Sequence, residues 1–383
     1  MALVAFSLGA GFLPIGPIAP LLIAHYNINN ATAGFLTSIY FLVHIPLAIP
    51  ASLVVNRIGL KASITLGALL GSVSLLSFLA IDSFALLLAT RAISSLGFIL
   101  MFPATGPLFM QWFPSKEIPL INGALVLAAS LGVAFTNFLI APLSNIFGWE
   151  VALSGVGGLA LLSAITWIFF GPSSRAPIVP TNLPSIQRFR EILTSRNTLL
   201  IAAADACASG LLIVSLAWLP TLYHQVHGIS LAETGVLMGT MSVSGSIGLV
   251  LATLLTAATR KRRPFIITAG SVIGFAGLAA ILVGNLTALY VIVAVLGVMC
   301  WLYLPALLTI PMELYRNDPD RVTMVLGVLL TSSSVIGAFA PAVAGAIADL
   351  TGSLIPGILI FVVVSWGLAI AGILLPETGI KRA

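Results

Sequence analysis

Runs of about twenty apolar residues recur along the whole chain, and short polar breaks separate them. A run of this length matches a helix that crosses the roughly 30 Å hydrocarbon core of a bilayer. Charged residues occupy only 7% of the 383 positions, whereas soluble domains carry roughly a quarter. Because so few charges cannot cover a water-facing surface, the sequence predicts an all-α membrane protein.

The polar breaks divide the chain into twelve predicted spans. They lie at 2–24, 33–55, 62–80, 84–110, 121–145, 151–171, 198–221, 231–257, 265–284, 288–310, 322–348 and 355–375. The one long connection runs from Pro172 to Asn197 and separates two groups of six spans. We therefore predict an N-terminal six-helix bundle over 1–171, a cytoplasmic linker over 172–197 and a C-terminal six-helix bundle over 198–383.

The cations fall on one side of these spans. Fifteen of the sixteen lysines and arginines lie in the loops after even-numbered spans or in the C-terminal tail, and the odd-numbered loops hold none. Since cytoplasmic loops of membrane proteins are enriched in Lys and Arg, both termini are predicted to be cytoplasmic. We expect a multi-pass protein of the cell inner membrane. The net charge of +5 comes from these loops and not from a basic stripe, so nucleic-acid binding is not expected.

The two halves repeat each other at a nearly constant offset. Five pairs of residues share a topological position 203 to 205 residues apart: Arg57 and Arg260, Trp112 and Tyr315, Gly123 and Gly327, Gly132 and Gly337, and Gly148 and Gly352. An even number of helices in each unit makes the two repeats parallel across the membrane. Parallel repeats are one known design of alternating-access carriers, which hold substrate near the midplane.

The loop after the second span carries a motif, S-L-V-V-N-R-I-G-L-K at 52–61. It resembles the signature of the major facilitator superfamily, which reads roughly G-x-L-A-D-R-x-G-R-K. Arg57, Gly59 and Lys61 match this gating-loop motif, and Asn56 stands where the family has a charged aspartate.

The resemblance extends over essentially the whole chain. Arg91 and Gly97 in the fourth span look like a conserved arginine and glycine of the family, and Pro-Glu-Thr-Gly at 376–379 looks like a common ending. The resemblance implies twelve transmembrane helices in two pseudo-symmetric six-helix bundles. It also implies a monomer that performs secondary active transport by alternating access.

Two further segments bear on the direction of transport. The stretch 111–117, Q-W-F-P-S-K-E, is similar to a loop of bacterial uptake-type members. Drug–proton antiporters carry Gly-Pro in the fifth helix where this chain has Thr136 and Asn137. These segments favour uptake over a drug or metabolite efflux antiporter of the same fold, which is the alternative. Together with the charged residues inside the spans, they lead us to expect a small anion moved with proton coupling.

Arg91 and Asp205 are the two residues with a permanent charge that lie clearly inside predicted spans. A charge at bilayer depth costs about 2.5–3.5 kcal/mol on insertion scales, and such residues usually serve function. In the functional interpretation Arg91 binds an anion or takes part in proton coupling, and Asp205 carries a proton. In the structural interpretation Arg91 caps backbone carbonyls or locks helix packing, and Asp205 extends towards the cytoplasmic face to pair with Arg196 or another loop cation.

Aromatic and polar residues complete the candidate set. The resemblance implies that spans 1, 4, 7 and 10 line a central cavity. The coupling and substrate candidates besides the two charges are Phe12, Tyr40, His44, Trp218, Trp301 and Tyr303. For each of them helix packing is the favoured role.

An enzyme would need a catalytic constellation, and none is evident in the sequence. Cys207 and Cys300 lie in separate apolar runs, which indicates buried thiols and neither a metal site nor a disulfide. No cofactor and no metal are expected. The expected partners are a small solute, protons and the lipid bilayer.

Overall fold

A computed structural model describes residues 1–114, 117–172, 186–259, 261–315 and 318–379. Within these ranges every element of regular secondary structure is helical, which confirms the all-α prediction there. The α-helices are α1 (Ala2–Ala10), α2 (Ala19–Tyr26), α3 (Asn30–Ile58), α4 (Leu60–Gly71), α5 (Phe84–Trp112), α6 (Ile118–Phe147), α7 (Trp149–Phe170), α8 (Ile186–Leu193), α9 (Arg196–His227), α10 (Leu231–Thr259), α11 (Arg263–Leu282), α12 (Leu286–Leu302), α13 (Leu304–Leu314), α14 (Pro319–Thr351), α15 (Leu354–Ser365) and α16 (Gly367–Leu374). Two 3₁₀ segments lie at Gly16–Ile18 and Ser72–Ala80.

Eleven helical stretches of the described chain are long and apolar enough to cross a membrane. They correspond to the second to twelfth predicted spans. Three of them join two consecutive elements, at Leu60–Ala80, Leu286–Leu314 and Leu354–Leu374. The count of twelve spans and the cytoplasmic position of both termini stay predictions.

The predicted first span, 2–24, is not one continuous helix. It consists of α1, the 3₁₀ turn Gly16–Ile18 and α2, with an irregular segment after Gly11. Pro14 and Pro17 lie in this part of the chain. Because proline lacks an amide donor and its ring clashes with the preceding turn, it ends or kinks a helix. The prediction of a single helix over 2–24 was therefore wrong. The two prolines in the sequence already disfavoured a continuous helix.

The chain forms two compact units. The first comprises Met1–Thr181 with Ser230–Gly239, and the second comprises Asn182–Ile229 with Thr240–Ala383. In the first unit α1 packs on α6, and α5 packs on α3 and α4. In the second unit α9 packs on α14 and α15, and α11 packs on α12 and α16. The domain division at 172–197 stays a prediction.

One pair of the internal repeat serves as the same backbone device in both units. Gly148 follows the end of α6 with φ +92°, and Gly352 follows the end of α14 with φ +73°. Residues other than glycine rarely adopt a positive φ, because their Cβ atom clashes with the backbone. Glycine is therefore favoured where a helix ends in this way.

In the first unit, α1 and α6 approach each other through glycines. A Cβ atom on Gly132 would overlap the backbone carbonyl of Phe6, and one on Gly9 would overlap the carbonyl of Ala129. Small residues at such positions let helix backbones pack directly, which is a main source of association inside a bilayer. Gly123, on the same helix α6, has no atom of this kind within 4 Å.

Gly132→Ala is therefore expected to destabilise the protein by about 1–3 kcal/mol, because the added methyl group forces the two backbones apart. Gly123→Ala is the matched control and is expected to be neutral or slightly stabilising, since alanine favours the helix. Thermal unfolding of both variants in detergent checks this difference. Equal unfolding temperatures for the two variants would contradict the packing argument.

Candidate functional site

In the first unit, Arg91 projects from α5 to the break that follows α1. Its side chain is buried, with 2% of its surface exposed. Nη1 donates to the carbonyl oxygen of Gly11 at 2.7 Å, and Nη2 donates to that of Phe12 at 3.1 Å. The carbonyls at a helix end have no partner within the helix. The fork of the guanidinium therefore satisfies two backbone oxygens that the break exposes, as the structural interpretation expected.

One aromatic ring lies beside this guanidinium, and further aromatic rings pack around that ring. The Cζ atom of Arg91 lies 5.5 Å from the ring centre of Tyr40, which is within cation–π range. The ring centres of Phe12 and His44 each lie 5.0 Å from that of Tyr40. His44 also stacks on Phe98 at 6.0 Å. The four predicted residues Arg91, Tyr40, Phe12 and His44 are thus brought together in one cluster.

The charge of Arg91 has no carboxylate partner in this cluster. Its described contacts are two carbonyl oxygens and one aromatic ring. The buried Nε–H group has no hydrogen-bond partner among the described residues. A buried cation without a counter-ion is costly. Arg91 thus carries a buried positive charge and one N–H donor for which the described residues supply no partner.

In the second unit, Asp205 joins three elements of structure. It projects from α9 and is 4% exposed. The hydroxyl of Tyr303 donates to Oδ1 at 2.8 Å, and the hydroxyl of Ser333 donates to Oδ2. Tyr303 lies at the junction of α12 and α13, and Ser333 lies in α14. Both carboxylate oxygens are held by hydroxyl groups and not by Arg196, so the predicted pairing with the loop cation is not what the structure shows.

The junction that positions Tyr303 follows from the local sequence. Pro305 has no amide donor and follows Tyr303 by two residues, so a continuous helix through this point is disfavoured. Tyr303 is buried, with 3% of its surface exposed.

The thiols of Cys207 and Cys300 are free.

The two remaining candidates, Trp218 and Trp301, have packing contacts. Trp218 is 1% exposed, and its indole Nε1–H donates to the carbonyl oxygen of Pro341 at 2.8 Å. Trp301 is partly exposed and packs against Gly245, where a Cβ would lie 2.6 Å from its ring. Among the described residues, neither indole forms a hydrogen bond with the carboxylate of Asp205.

The gating-loop motif joins α3 to α4. Arg57 is exposed in the last turn of α3, and Gly59 forms the junction with φ +90°. Lys61 lies in the first turn of α4, and its carbonyl accepts the indole N–H of Trp167 at 3.3 Å. The side chain of Asn56 lies outside the part of the chain that the structure describes.

Sequence reasoning missed a charged cluster in the second unit. Arg262 donates to both oxygens of Glu313, at 2.8 and 3.3 Å. Glu377 of the Pro-Glu-Thr-Gly segment accepts the backbone N–H groups of Arg262 and Arg263, at 2.9 and 3.2 Å. A carboxylate at these amides satisfies free donors at the start of α11.

Ser333 was also missed. The run Ser332 to Ser334 in an otherwise apolar span was the signal available. It did not indicate which of the three hydroxyls turns towards another helix.

The family model described as the Major Facilitator Superfamily matches residues 1–341. The chain belongs to the Major Facilitator Superfamily. A solved structure of a bacterial homolog to the human lysosomal transporter Spinster superposes on this superfamily member with a TM-score of 0.79, at 17% identity. The match covers 97% of this chain and 94% of that one, and at such low identity it shows the shared fold.

Curated relatives of this superfamily member include transport proteins. It is 26% identical over 252 residues to the sodium-dependent phosphate transport protein 1 of Arabidopsis thaliana, which covers 59% of this chain and 48% of that protein. It is 24% identical over 282 residues to a 4-hydroxybenzoate transporter of Pseudomonas aeruginosa, which covers 65% and 63%. The chain spans about half the length of the first curated relatives it matches, 48% and 46%.

Proposed function

We propose that this chain is a secondary active transporter that moves a small anion together with protons across a membrane by alternating access. One observation carries the proposal. Each unit buries a charged side chain without an oppositely charged partner among the described residues: Arg91 in the first unit and Asp205 in the second. Such groups are expensive in a bilayer and are usually functional.

The first of these groups suits an anion. A guanidinium recognises carboxylates and phosphates through several donors, and its hydrogen bonds to anions are stronger than neutral ones. The Nε–H of Arg91 is unused, and the ring of Tyr40 lies beside the guanidinium. Two relatives are named for phosphate and 4-hydroxybenzoate, which are both anions at neutral pH.

The second group suits a proton. A hydroxyl can donate to a carboxylate or accept from a carboxylic acid, so partners of this kind tolerate both states. The carboxyl of Asp205 has two such partners, Tyr303 and Ser333. Movement of one proton with one negative charge carries no net charge across the membrane, which makes the pair of groups a coherent symport device.

The remaining features of the proposal follow from the parallel repeat and the cation distribution. The bundles 1–171 and 198–383 would alternate the access of a substrate site as parallel repeats do in known carriers. We place the protein in the cell inner membrane as a monomer, with the even-numbered loops in the cytoplasm.

A two-step experiment tests this function. Purified protein is first screened by thermal shift against phosphate, aromatic and aliphatic carboxylates, amines and neutral lipophiles. Anions are expected to raise the unfolding temperature, because a bound ligand stabilises the folded state. The stabilising anion is then supplied, radiolabelled, to proteoliposomes with an acid-outside pH gradient, and a protonophore should collapse its accumulation. Stabilisation by cations or neutral lipophiles alone would contradict the anion proposal.

The same assay separates uptake from efflux. Right-side-out vesicles are energised with an acid exterior and inverted vesicles with an acid interior, so that the proton gradient has the same direction relative to the protein in both. Accumulation only in inverted vesicles would favour the alternative, an efflux antiporter of the same fold.

A further inference from the structure

Ser333 has a second acceptor within reach of its hydroxyl. Besides donating to Oδ2 of Asp205, its Oγ lies 3.1 Å from the carbonyl oxygen of Leu329, one turn earlier in α14. For Tyr303 the described hydrogen bond goes to Oδ1 of Asp205. The two hydroxyls that hold the carboxyl are therefore unlike each other: the serine has an alternative acceptor.

We propose that Ser333 is a hydroxyl switch that positions the transported proton on Oδ2 of Asp205; this inference rests on the proposed proton coupling. When Asp205 is ionised, Ser333 donates to Oδ2 and Tyr303 donates to Oδ1. When hydronium transfers a proton to Oδ2, the new O–H group donates to Oγ of Ser333. The serine O–H rotates to the carbonyl of Leu329, and Tyr303 keeps its bond to Oδ1.

The proton balance of this step is simple. Hydronium gives its proton to Oδ2 and becomes water, and the serine keeps its own hydrogen throughout. Each donor retains an acceptor in both states, because a hydroxyl can donate one hydrogen bond while accepting another. The switch therefore avoids a buried donor without a partner, which would be costly in either state.

The other groups at this cluster are mostly neutral. Among the described residues, the thiols of Cys300 from α12 and Cys207 from α9 lie near Tyr303. From α14, the Ser332 hydroxyl lies 2.7 Å from the carbonyl oxygen of Leu329 and 3.1 Å from that of Ala202 in α9. When Ser333 rotates to Leu329, the hydroxyl of Ser332 can donate to Ala202 instead. The described contacts of the carboxyl are two hydroxyl groups and include no cation, so these hydroxyls are its direct partners in either protonation state.

The experiment compares two neighbouring serines of α14. Ser333→Ala removes the switch, whereas Ser334→Ala removes a hydroxyl whose described bond goes to the carbonyl of Leu330 at 3.0 Å. In the proteoliposome assay, Ser333→Ala is expected to displace the pH of half-maximal uptake by about one unit or more, since a hydrogen bond to a charged group is lost. Ser334→Ala is expected to keep the wild-type profile, and Ser333→Thr, which retains a hydroxyl, should restore it.

Infrared difference spectroscopy measures the hydrogen bonding of the carboxyl directly, and a packing defect alone does not shift its band. The carbonyl stretch of protonated Asp205 is the band that disappears in Asp205→Asn. It should shift in Ser333→Ala and remain in place in Ser333→Thr and Ser334→Ala. If Ser333→Ala does not fold, Ser333→Cys offers a similar volume with a weak donor and should also shift the band.

The outcomes separate this inference from the proposed function. If Asp205→Asn retains proton-driven uptake, the proposed proton coupling at Asp205 fails. If Asp205→Asn loses that uptake while the Ser333 variants keep the wild-type pH profile and carbonyl band, the coupling stands and the switch is overturned.

Discussion

Asp205→Asn is expected to abolish proton-driven accumulation of the substrate while substrate exchange across the membrane continues. Asparagine has nearly the same shape as aspartate, and its amide group can still form hydrogen bonds with the hydroxyls of Tyr303 and Ser333. The tie between α9, α14 and the α12–α13 junction therefore survives. The amide cannot carry a proton at physiological pH, so the gradient loses its point of coupling.

The expected effect is large. With one proton per substrate, each pH unit of gradient supports about tenfold accumulation, because one unit corresponds to about 1.36 kcal/mol. The variant should equilibrate its substrate and accumulate none. Counterflow, in which unlabelled substrate inside exchanges for labelled substrate outside, should continue because it needs no net proton movement.

Glu233→Gln is the control for a carboxylate outside the cluster. Glu233 is exposed at the start of α10, where its carboxylate accepts from the hydroxyl of Ser230 at 2.6 Å. Its replacement should leave accumulation unchanged. If Asp205→Asn accumulates substrate fully, another group carries the coupling proton. If the variant loses counterflow as well as accumulation, its fold is damaged.

Much of the fold could be predicted because the bilayer constrains sequence strongly. Positions that face lipid are mostly apolar, and each backbone group of a lipid-exposed helix must find its partner within the segment. Long apolar runs therefore become helices such as α9 and α11. These two helices overlap the predicted spans 198–221 and 265–284 over most of their length. The break after α1 is different. Its free carbonyls are satisfied by Arg91, which is 80 residues away along the chain, and no local pattern announces that contact.

The candidate site was predictable to the extent that it depends on rare residues. A charge inside an apolar run is conspicuous, which is why Arg91 and Asp205 could be named from the sequence. Ser333 could not be singled out. Serines within helices commonly bond to the carbonyl four residues earlier, as Ser333 and Ser334 both do. Only the packing of α14 on α9 determines which hydroxyl also reaches the carboxylate.

Arg91 combines a structural contact with a free donor, and two substitutions separate these functions. Arg91→Gln removes the charge, and the affinity for the anion should fall by roughly ten- to a hundredfold, because hydrogen bonds to charged groups contribute about 1.5–3 kcal/mol. Arg91→Lys keeps a positive charge but replaces the planar fork with a single ammonium group. It should lose less affinity than the glutamine variant. Both should unfold at lower temperature, since neither reproduces the two bonds to Gly11 and Phe12.

Anion-dependent thermal shifts measure the two effects in one experiment. The unfolding temperature without ligand reports the loss of the clamp, which is the pair of hydrogen bonds from Arg91 to the break after α1. The increase with anion concentration reports affinity, since stabilisation follows the ratio of ligand concentration to its dissociation constant. Arg190→Gln is the control, because Arg190 is exposed on α8 and outside the cluster, and the anion affinity of this variant should equal that of the wild type. If Arg91→Gln and Arg91→Lys bind the anion as tightly as the wild type does, Arg91 serves only as the clamp. The substrate anion would then be bound by another group.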